Sequence, residues 1–468
     1  MMFLFYFSVG SWLVTLSTFL MSAPIKGGMN FTTGEVGWIY SSLAIAGMTA
    51  PLVIGLLADR LFRADRVFAV SAFGMASFLT VVGWWCDANF SRVDQIYKDV
   101  AQEHRVAGLP ALVQRERLVA MAGTIPAAAV EPLRVQVHRA LDQVNEDHRV
   151  RAIASTVFFP LFAMMIGVCF CTQICMTLST VISLRNLPDP ARQFSRVRMW
   201  GTVGWVVAGN LLGIYFASVS TEPIYLGAVS GALLGVYALT LPATPPRGHG
   251  RTFTEVFGVP ALRLLGDRSF AVFLLVAFSS SLLNQFYVVY GHRYLTDLEL
   301  AEPVQFMTIA QVLEVGVMFV IPLLNPRQNM KLLMTIGLFG YVARAAALSS
   351  GWETAVLLVG VPMHGWSFAF FFVIAATYID REAPWHLRAS AQAMVALAVS
   401  GFGPWLGNLL AAEVVGWYRV GTVIDWPPVW QVPLVGCTAV LLLFLIGFHP
   451  RQVVDTTAAV TASTESPS

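Results

Sequence analysis

The sequence has 468 residues, of which 56% are apolar and 12% charged, and its mean hydropathy is +0.67. Soluble domains carry about 25% charged residues, so this composition excludes a disordered chain, a coiled coil and an ordinary cytosolic enzyme. It predicts a membrane protein with many spans. Lys and Arg number 29 against 27 Asp and Glu, and this net charge of +2 excludes a polybasic nucleic-acid-binding protein.

Twelve segments are long and apolar enough to cross about 30 Å of hydrocarbon as helices, since a span needs roughly 20 apolar residues. They are residues 3–21, 36–57, 67–85, 154–179, 199–217, 224–241, 270–290, 304–324, 332–348, 354–379, 391–415 and 432–448. The predicted fold class is therefore an all-α membrane protein with twelve transmembrane helices.

Basic residues in the short loops predict the orientation, because cytoplasmic loops carry an excess of Lys and Arg. With the amino terminus inside, the short outer loops hold three basic residues, Lys26, Arg293 and Arg419, whereas the inner loops and tail hold fifteen. We therefore expect both termini in the cytoplasm. The expected location is the plasma membrane, as the inner membrane of a bacterium.

Residues 87–151, between the third and fourth spans, are too long for the charge rule to place. Apolar residues recur there with helical spacing on two faces: Val93, Ile96 and Val100 on one, and Val130, Leu133, Val137, Leu141 and Val144 on the other. We predict a small helical, extracytoplasmic insert. We favour the interpretation that this insert has no role of its own over the interpretation that it is a lid.

Residues 242–269 are the longest predicted cytoplasmic loop, and they divide the spans into six and six. The predicted domains are therefore a six-helix bundle at 1–241, a second at 270–448, and a disordered cytoplasmic tail at 449–468. Two six-helix halves around a central cavity are a common plan of secondary transporters.

Charged side chains within spans cost roughly 2.5–3.5 kcal/mol each on insertion scales, so each needs a partner or a task. Glu314 lies near the middle of the eighth span, with Gln311 on the same helical face. Arg344 in the ninth span falls at a comparable depth, so an ion pair with Glu314 is feasible. Two interpretations stay open: a structural ion pair, and a carboxylate that exchanges a proton or binds substrate in a watery cavity.

A stripe of three residues begins the fifth span, where Arg198, Thr202 and Trp205 share one helical face. A cation, a hydroxyl and an indole in this arrangement can bind a hydroxylated ligand with a flat ring. The alternative for Arg198 is that its guanidinium reaches the membrane surface beside the other cytoplasmic arginines.

Two other spans carry polar groups at mid-depth. His364 and Phe368 share a face in the tenth span, while Asn284 and Gln285 are adjacent in the seventh, so at least one of these amides faces the interior. Together with the stripe in the fifth span, these groups suit a polar, uncharged solute with a flat ring, although sugar sites use similar groups.

The segment Gly55-Leu-Leu-Ala-Asp59-Arg60 follows the second span and leads into further basic residues. It resembles the signature of the major facilitator superfamily, in which Gly, Asp-Arg and basic residues occupy the loop between spans two and three. The resemblance implies two six-helix bundles and a gating role for Gly55, Asp59 and Arg60.

Further motifs resemble the nucleoside:proton symporter family of that superfamily, and the similarity runs nearly from end to end, except for residues 87–151. The motifs are Gly10-Ser11-Trp12-Leu13, Tyr40-Ser41-Ser42-Leu43, Arg198-Met199-Trp200-Gly201-Thr202-Val203-Gly204, Gln311-Val312-Leu313-Glu314, His364-Gly365 followed by Phe370-Phe371-Phe372, and Arg388-Ala389-Ser390-Ala391-Gln392. By this resemblance the substrate-binding residues are Arg198, Thr202, Trp205, Gln285, Gln311, Glu314, His364 and Phe368. Glu314 would also couple transport to protons.

Four positions depart from the family pattern: Trp205 replaces Phe, His364 replaces Tyr, Val288 replaces Asn, and Ala369 replaces an Asp just before the Phe run. The exchange at Trp205 preserves an aromatic ring for stacking. The exchange at Ala369 removes a candidate proton or ribose partner and leaves Glu314 as the intramembrane carboxylate at mid-depth in the second half.

We therefore expect a secondary active transporter that imports nucleosides with protons by alternating access. Its expected partners are nucleosides, protons and membrane lipid, and we expect a monomer without metal or cofactor that binds no nucleic acid. Transport of another polar solute, a sugar or a modified nucleoside, without proton coupling, is the alternative.

A membrane enzyme within residues 87–151 is a third hypothesis, since this segment contains His104, His138 and His148. The segment has no nucleophile motif, metal-ligand spacing or glycine-rich loop, so we expect no enzyme.

Overall fold

The computed structural model of the chain describes residues 1–104, 113–114, 127–145, 147–216, 219–246, 253–300, 302–324 and 329–450. The predicted tail at 449–468 lies outside these residues apart from its first two. The described chain is helical almost throughout, and its strands β1 (Arg419–Val420) and β2 (Val423–Ile424) form a short antiparallel hairpin.

The long helices are, in chain order, α1 (Met2–Met21), α2 (Thr33–Leu56), α3 (Ala64–Glu103), α4 (Ala127–Asn145), α5 (His148–Asn186), α6 (Pro190–Tyr215), α7 (Glu222–Ala238), α8 (Arg268–Asp297), α9 (Pro303–Val320), α10 (Met330–Ser349), α11 (Glu353–Glu382), α12 (Arg388–Trp417) and α13 (Trp426–Gly447). Within the described chain, ten of them are long and apolar enough to cross a membrane, which confirms a helical protein of many spans. Helices α6 and α7 coincide with the predicted fifth and sixth spans, and α4 lies in the predicted insert.

The start of α2 illustrates how the sequence sets a helix boundary. The Thr32 hydroxyl accepts a hydrogen bond from the backbone N–H of Glu35 at 3.2 Å, and the Glu35 carboxylate accepts one from the N–H of Thr32 at 2.8 Å. This reciprocal pair satisfies two N–H groups that a helix start otherwise leaves free. The helix therefore begins directly after Thr32.

Helix α11 is not a regular α-helix along its whole length. Two π-turns, Val356–Gly360 and Ala369–Val373, flank the short α-helical stretch Met363–Phe368. Such π-turns inside α-helices are rare and are often found at functional sites. The stretch between them carries His364 and Phe368, two of the residues singled out from the sequence.

The insert predicted at residues 87–151 is helical where the structure describes it. Helix α3 continues past the predicted end of its span to Glu103, and α4 packs beside it. The predicted apolar faces are confirmed at five positions where the side chain is buried: Val93, Val100, Val137, Leu141 and Val144. The side chain of Val130 lies outside the described residues.

Polar contacts fasten the base of the insert. Asp147 accepts a hydrogen bond from the backbone N–H of Arg149 and so caps α5, while the Arg149 guanidinium bonds both Asp147 and Glu103 of α3. The hydrogen bonds from Arg149 hold the pKa of the Asp147 carboxyl well below its usual range, so this cap stays charged and paired at neutral pH.

The helices pack in two groups, defined here by their contacts. In the first group, α3 packs against α5 and α7, and α1 packs against α6 and α7; α2 joins it through α5. In the second group, α10 packs against α11 and α13, and α8 packs against α12 and α13, with α9 joined through α11. Among the described residues, the most extensive contacts between the two groups join α1 with α8, α2 with α12, and α6 with α9.

Contacts between the groups are well formed where α1 ends and α2 begins, which we call the closed end. The Thr18 hydroxyl and His292 Nδ1 form a buried hydrogen bond of 2.7 Å between α1 and α8. Helices α2 and α12 also lie very close, because a Cβ on Gly37 would come within 2.6 Å of the Ala412 Cβ. Glycine at this position therefore permits the approach of the two backbones.

The insert also touches the second group at this end. The Asp142 carboxylate accepts a hydrogen bond of 2.6 Å from the backbone N–H of Thr422 in the β1–β2 hairpin. His138 Nδ1 lies 2.8 Å from the hydroxyl of the same threonine. Helix α4, which lies between α3 and α5 of the first group, thus contacts the second group.

We predict that the bond between Thr18 and His292 joins the two groups energetically. Thr18→Val leaves the buried imidazole without its partner and should destabilise the protein by about 1–3 kcal/mol. Thr18→Val and His292→Phe together should cost clearly less than the sum of the single changes, as read from melting temperatures in detergent.

The matched control is Ser11→Ala, whose hydroxyl bonds the Phe7 carbonyl within α1 alone. The loss of stability caused by Ser11→Ala should add to the loss caused by His292→Phe. Strict additivity of Thr18→Val with His292→Phe would contradict the coupling.

Candidate functional site

Glu314 lies in α9 and is partly buried, and it forms no hydrogen bond or ion pair with the described residues. The cation that acts on it electrostatically is Arg198 of α6, in the other helix group. One turn earlier, Gln311 Oε1 is buried without a hydrogen-bond partner among the described residues. A carboxylate and an amide oxygen are therefore both free to accept hydrogen bonds on one face of α9.

Arg198 does not extend away from the helices toward a membrane surface. Its guanidinium carbon lies 4.3 Å from the centre of the Tyr6 ring of α1, a cation–π arrangement. Tyr6 in turn interacts electrostatically with both Arg198 and Glu314. The three residues bring α1, α6 and α9 together at one place.

Thr202 and Trp205 continue this face of α6. A Cβ on Gly10 would lie 3.2 Å from the Trp205 indole, so the glycine lets the ring pack against α1. Thr202 is partly buried, and its hydroxyl makes no hydrogen bond within the described chain. It is thus free to bond a ligand.

The register between α6 and α9 sets the depth of these groups. A Cβ on Gly213 would meet Gln305, and one on Gly209 would meet Thr308, so the two helices run antiparallel in contact. Glu314 lies six residues after Thr308, so in this antiparallel register it lies opposite the segment of α6 about six residues before Gly209, around Thr202. The stripe on α6 and the carboxylate on α9 therefore share one depth.

Gln285 occupies a drier position than the sequence suggested. It is buried, its amide nitrogen donates to the Ser281 carbonyl at 3.1 Å, and its stem packs where Gly407 leaves room on α12. Its neighbour Asn284 uses its side-chain oxygen to accept a hydrogen bond from Arg344 at 2.9 Å. Both adjacent amides are therefore inside the second group.

The ion pair between Glu314 and Arg344, which the sequence left open, is not formed in the described chain. Arg344 is 4% exposed and donates to Asn284 and to Nδ1 of His364, each at 2.9 Å. Its guanidinium also lies over the rings of Tyr287 and Tyr341. Equal depth along two helices did not fix the direction in which each side chain points.

His364 and Phe368 share one face of α11, as predicted. The imidazole stacks on the Tyr287 ring with centroids 4.7 Å apart, and Phe368 is 36% exposed. The backbone between them approaches α9 closely, because a Cβ on Gly365 would overlap the Ala310 carbonyl oxygen and would lie 2.9 Å from the Glu314 nitrogen. Gly365 therefore brings these side chains next to the helix of Glu314.

The predicted gating motif lies at the end of α2 and in the π-turn Leu57–Leu61 that follows. The side chains of Gly55, Asp59 and Arg60 lie outside the described residues. Asp65, a little further along the same segment, is buried and accepts hydrogen bonds of 2.8 Å from Arg63 and from the backbone N–H of Thr244. It ties the start of α3 to the segment after α7.

Sequence reasoning missed Tyr6 and Tyr287. Tyr6 precedes Gly10 by four residues, so the helical period places it on the face of α1 that Trp205 covers. Tyr287 stands three residues after Asn284 on the face that meets Arg344. Helical spacing in the sequence places both tyrosines on these faces. They were not selected because an aromatic residue in an apolar span is usually a packing residue.

Within the described residues, no group of three or more His, Cys, Asp or Glu side chains is arranged to hold a metal ion. Among the described residues, the candidate site thus combines amides, hydroxyls, an imidazole, aromatic rings, one carboxylate and two arginines. This set can hydrogen-bond and stack on a neutral solute with a flat ring, and its carboxylate can carry a proton.

A family model described as "Nucleoside H+ symporter" matches residues 1–89 and 148–453 and omits most of the insert. The Escherichia coli (strain K12) nucleoside permease NupG is 24% identical over 97% of this chain and 96% of its own length. The xanthosine permease of the same organism is 25% identical over 96% of this chain and 94% of its own length.

Solved structures share the fold. A NupG variant superposes with a TM-score of 0.73 at 22% identity, covering 96% of this chain and 98% of the other. A D-xylose-proton symporter superposes with a TM-score of 0.60 at 11% identity, covering 97% and 98%. The fold is thus that of major facilitator transporters.

We predict that Gly365 sets the spacing between α9 and α11. Gly365→Ala should lower the stability by about 1–3 kcal/mol, because the new methyl group overlaps the Ala310 backbone. The measurement is the melting temperature in detergent. Gly316→Ala is the matched control, since a Cβ there meets nothing within 4 Å, and it should leave the melting temperature nearly unchanged. Equal melting temperatures for the two variants would refute the predicted close approach.

Proposed function

The chain belongs to the nucleoside H+ symporter family, and from this premise we propose that it imports nucleosides together with protons by alternating access. It is a transporter and not an enzyme. The observation that carries the proposal is the position of Glu314, a carboxylate in a membrane helix of one group that faces Arg198 of the other group without an ion pair. A charge held in this way between two moving halves can exchange a proton as they separate.

The proposed substrate site draws on both helix groups. Arg198, Thr202 and Trp205 come from α6, and the remaining contacts come from the second group: Gln285, Gln311, Glu314, His364 and Phe368. Closure around a solute requires contacts from both sides, which supports this assignment. The free acceptors on Glu314 and Gln311 suit the hydroxyl and N–H groups of a nucleoside, and the rings of Trp205 and Phe368 suit its flat base.

We propose twelve spans, by adding α6 and α7 to the ten helices that meet the length and hydropathy criteria. The proposed domains are the bundles 1–241 and 270–448, joined by the cytoplasmic loop 242–269. The excess of basic residues in the loops supports cytoplasmic termini. The bacterial relatives support a location in a bacterial inner membrane. A monomer surrounded by lipid is consistent with two groups that pack on each other.

With this orientation, the closed end faces outward and the insert 87–151 lies outside the membrane. The contacts of Thr18 with His292 and of Asp142 with Thr422 would then seal the outer side. The described conformation would therefore open its site toward the cytoplasm. Gly55, Asp59 and Arg60 would gate the opposite, cytoplasmic side.

Uptake by transport-deficient cells tests the proposed function. Cells that express the chain should accumulate labelled uridine or adenosine above an empty-vector control, and Glu314→Gln should abolish accumulation against a gradient. Glu413→Gln is the matched control, because Glu413 is exposed near the end of α12 and bonds Trp417.

Failure to accumulate either nucleoside would exclude this substrate class and favour a sugar or another polar solute. Full accumulation by Glu314→Gln would remove this residue from the coupling step.

A further inference from the structure

Arg344 is a buried cation whose described partners are all neutral. Its exposed fraction is 4%, and its hydrogen-bond partners are the Asn284 amide and the His364 imidazole. The faces of Tyr287 and Tyr341 lie 5.1 and 4.8 Å from the guanidinium carbon, and the Cys437 thiol also interacts with the guanidinium electrostatically. Burying a cation without a carboxylate partner is energetically unfavourable. The presence of Arg344 at this position therefore indicates a functional role.

The bond to His364 fixes the protonation of the imidazole. A guanidinium has only N–H donors, so His364 Nδ1, 2.9 Å away, must accept. An Nδ1 that accepts carries no proton, so the ring is neutral and its single proton sits on Nε2. A doubly protonated ring would direct an N–H and a positive charge at the guanidinium.

The ring is also fixed in orientation. One face stacks on Tyr287, and the backbone beside it is pressed against α9 at Gly365. His364 is nevertheless partly exposed, and its Nε2 makes no hydrogen bond to the described residues. One turn along the same face, Phe368 is 36% exposed. The Nε2–H group is thus an oriented donor without an acceptor among the described residues.

We propose that Arg344 is a positioning residue that holds His364 as a neutral Nε2–H donor, and that this donor binds a carbonyl or hydroxyl oxygen of the transported nucleoside. The inference rests on the proposed function for the identity of the ligand. Arg344 itself contacts no substrate. It acts by removing the alternative tautomer, in which the same nitrogen would be an acceptor and would repel that oxygen.

Nitrogen-15 NMR of the full-length protein in detergent, labelled at its histidines, tests the tautomer without any ligand. The His364 signals are assigned by their loss in His364→Phe. We expect the Nε2–H tautomer, unchanged between pH 5.5 and 8, in the native protein and in Asn284→Ala, which removes only the other bond of Arg344. In Arg344→Met we expect the signals to average between tautomers and to shift with pH. A His364 that titrates in the native protein would overturn the proposal, whether or not Arg344→Met folds.

Binding of uridine and of analogues that each lack one oxygen tests the donor role. The native protein should bind one analogue about tenfold more weakly than uridine, the loss of one hydrogen bond to a neutral donor. This discrimination between uridine and the analogue should disappear in His364→Phe and weaken in Arg344→Met. Arg344→Lys should retain more of the discrimination than Arg344→Met, because a lysine side chain also has only hydrogen-bond donors. The same analogue preference in His364→Phe as in the native protein would overturn the donor role.

The two hypotheses fail in different ways. If the proposed function is wrong, the native protein binds no nucleoside, whereas the NMR signals still report the tautomer of His364.

Discussion

A carboxylate inside a membrane helix must be paired, hydrated or protonated, since isolated charge there is costly. Glu314 forms no ion pair with the described residues, and the cation that acts on it electrostatically is Arg198 of the other helix group, which is itself held over Tyr6. The cation that favours the charged form of Glu314 therefore belongs to a separate packing unit. Any motion that separates the groups changes the environment of Glu314, and this links its charge to conformation.

The two intramembrane arginines of the site have different tasks because they have different neighbours. Arg198 lies where α6 crosses α9, so its charge reaches Glu314. Arg344 lies inside the second group, where an amide, an imidazole and two phenol rings surround it. Keeping Arg344 away from Glu314 leaves the carboxylate free of a tight ion pair, which would hold it permanently charged. In the proposed mechanism, the separation of the two arginines serves both proton exchange at Glu314 and the orientation of His364.

Hydropathy and helical periodicity predicted the spans, the helical insert and the shared face of His364 and Phe368, because these depend on local sequence. They did not predict which cation faces Glu314. Residue counting gives depth along a helix, whereas pairing depends on how each helix is turned about its axis and on its neighbours. Gly365 decides one such contact, and no local pattern shows that its missing side chain lies against Ala310. Tyr6 was missed for the same reason, as its role depends on α6 and α9.

The most direct test of the role of Glu314 is proton movement driven by nucleoside. In liposomes that contain the purified protein and a trapped pH-sensitive dye, an inward uridine gradient should acidify the interior. The Glu314→Gln protein should give no uridine-dependent acidification. Uridine entry into the native liposomes without a change in internal pH, or equal acidification by both proteins, would contradict the account.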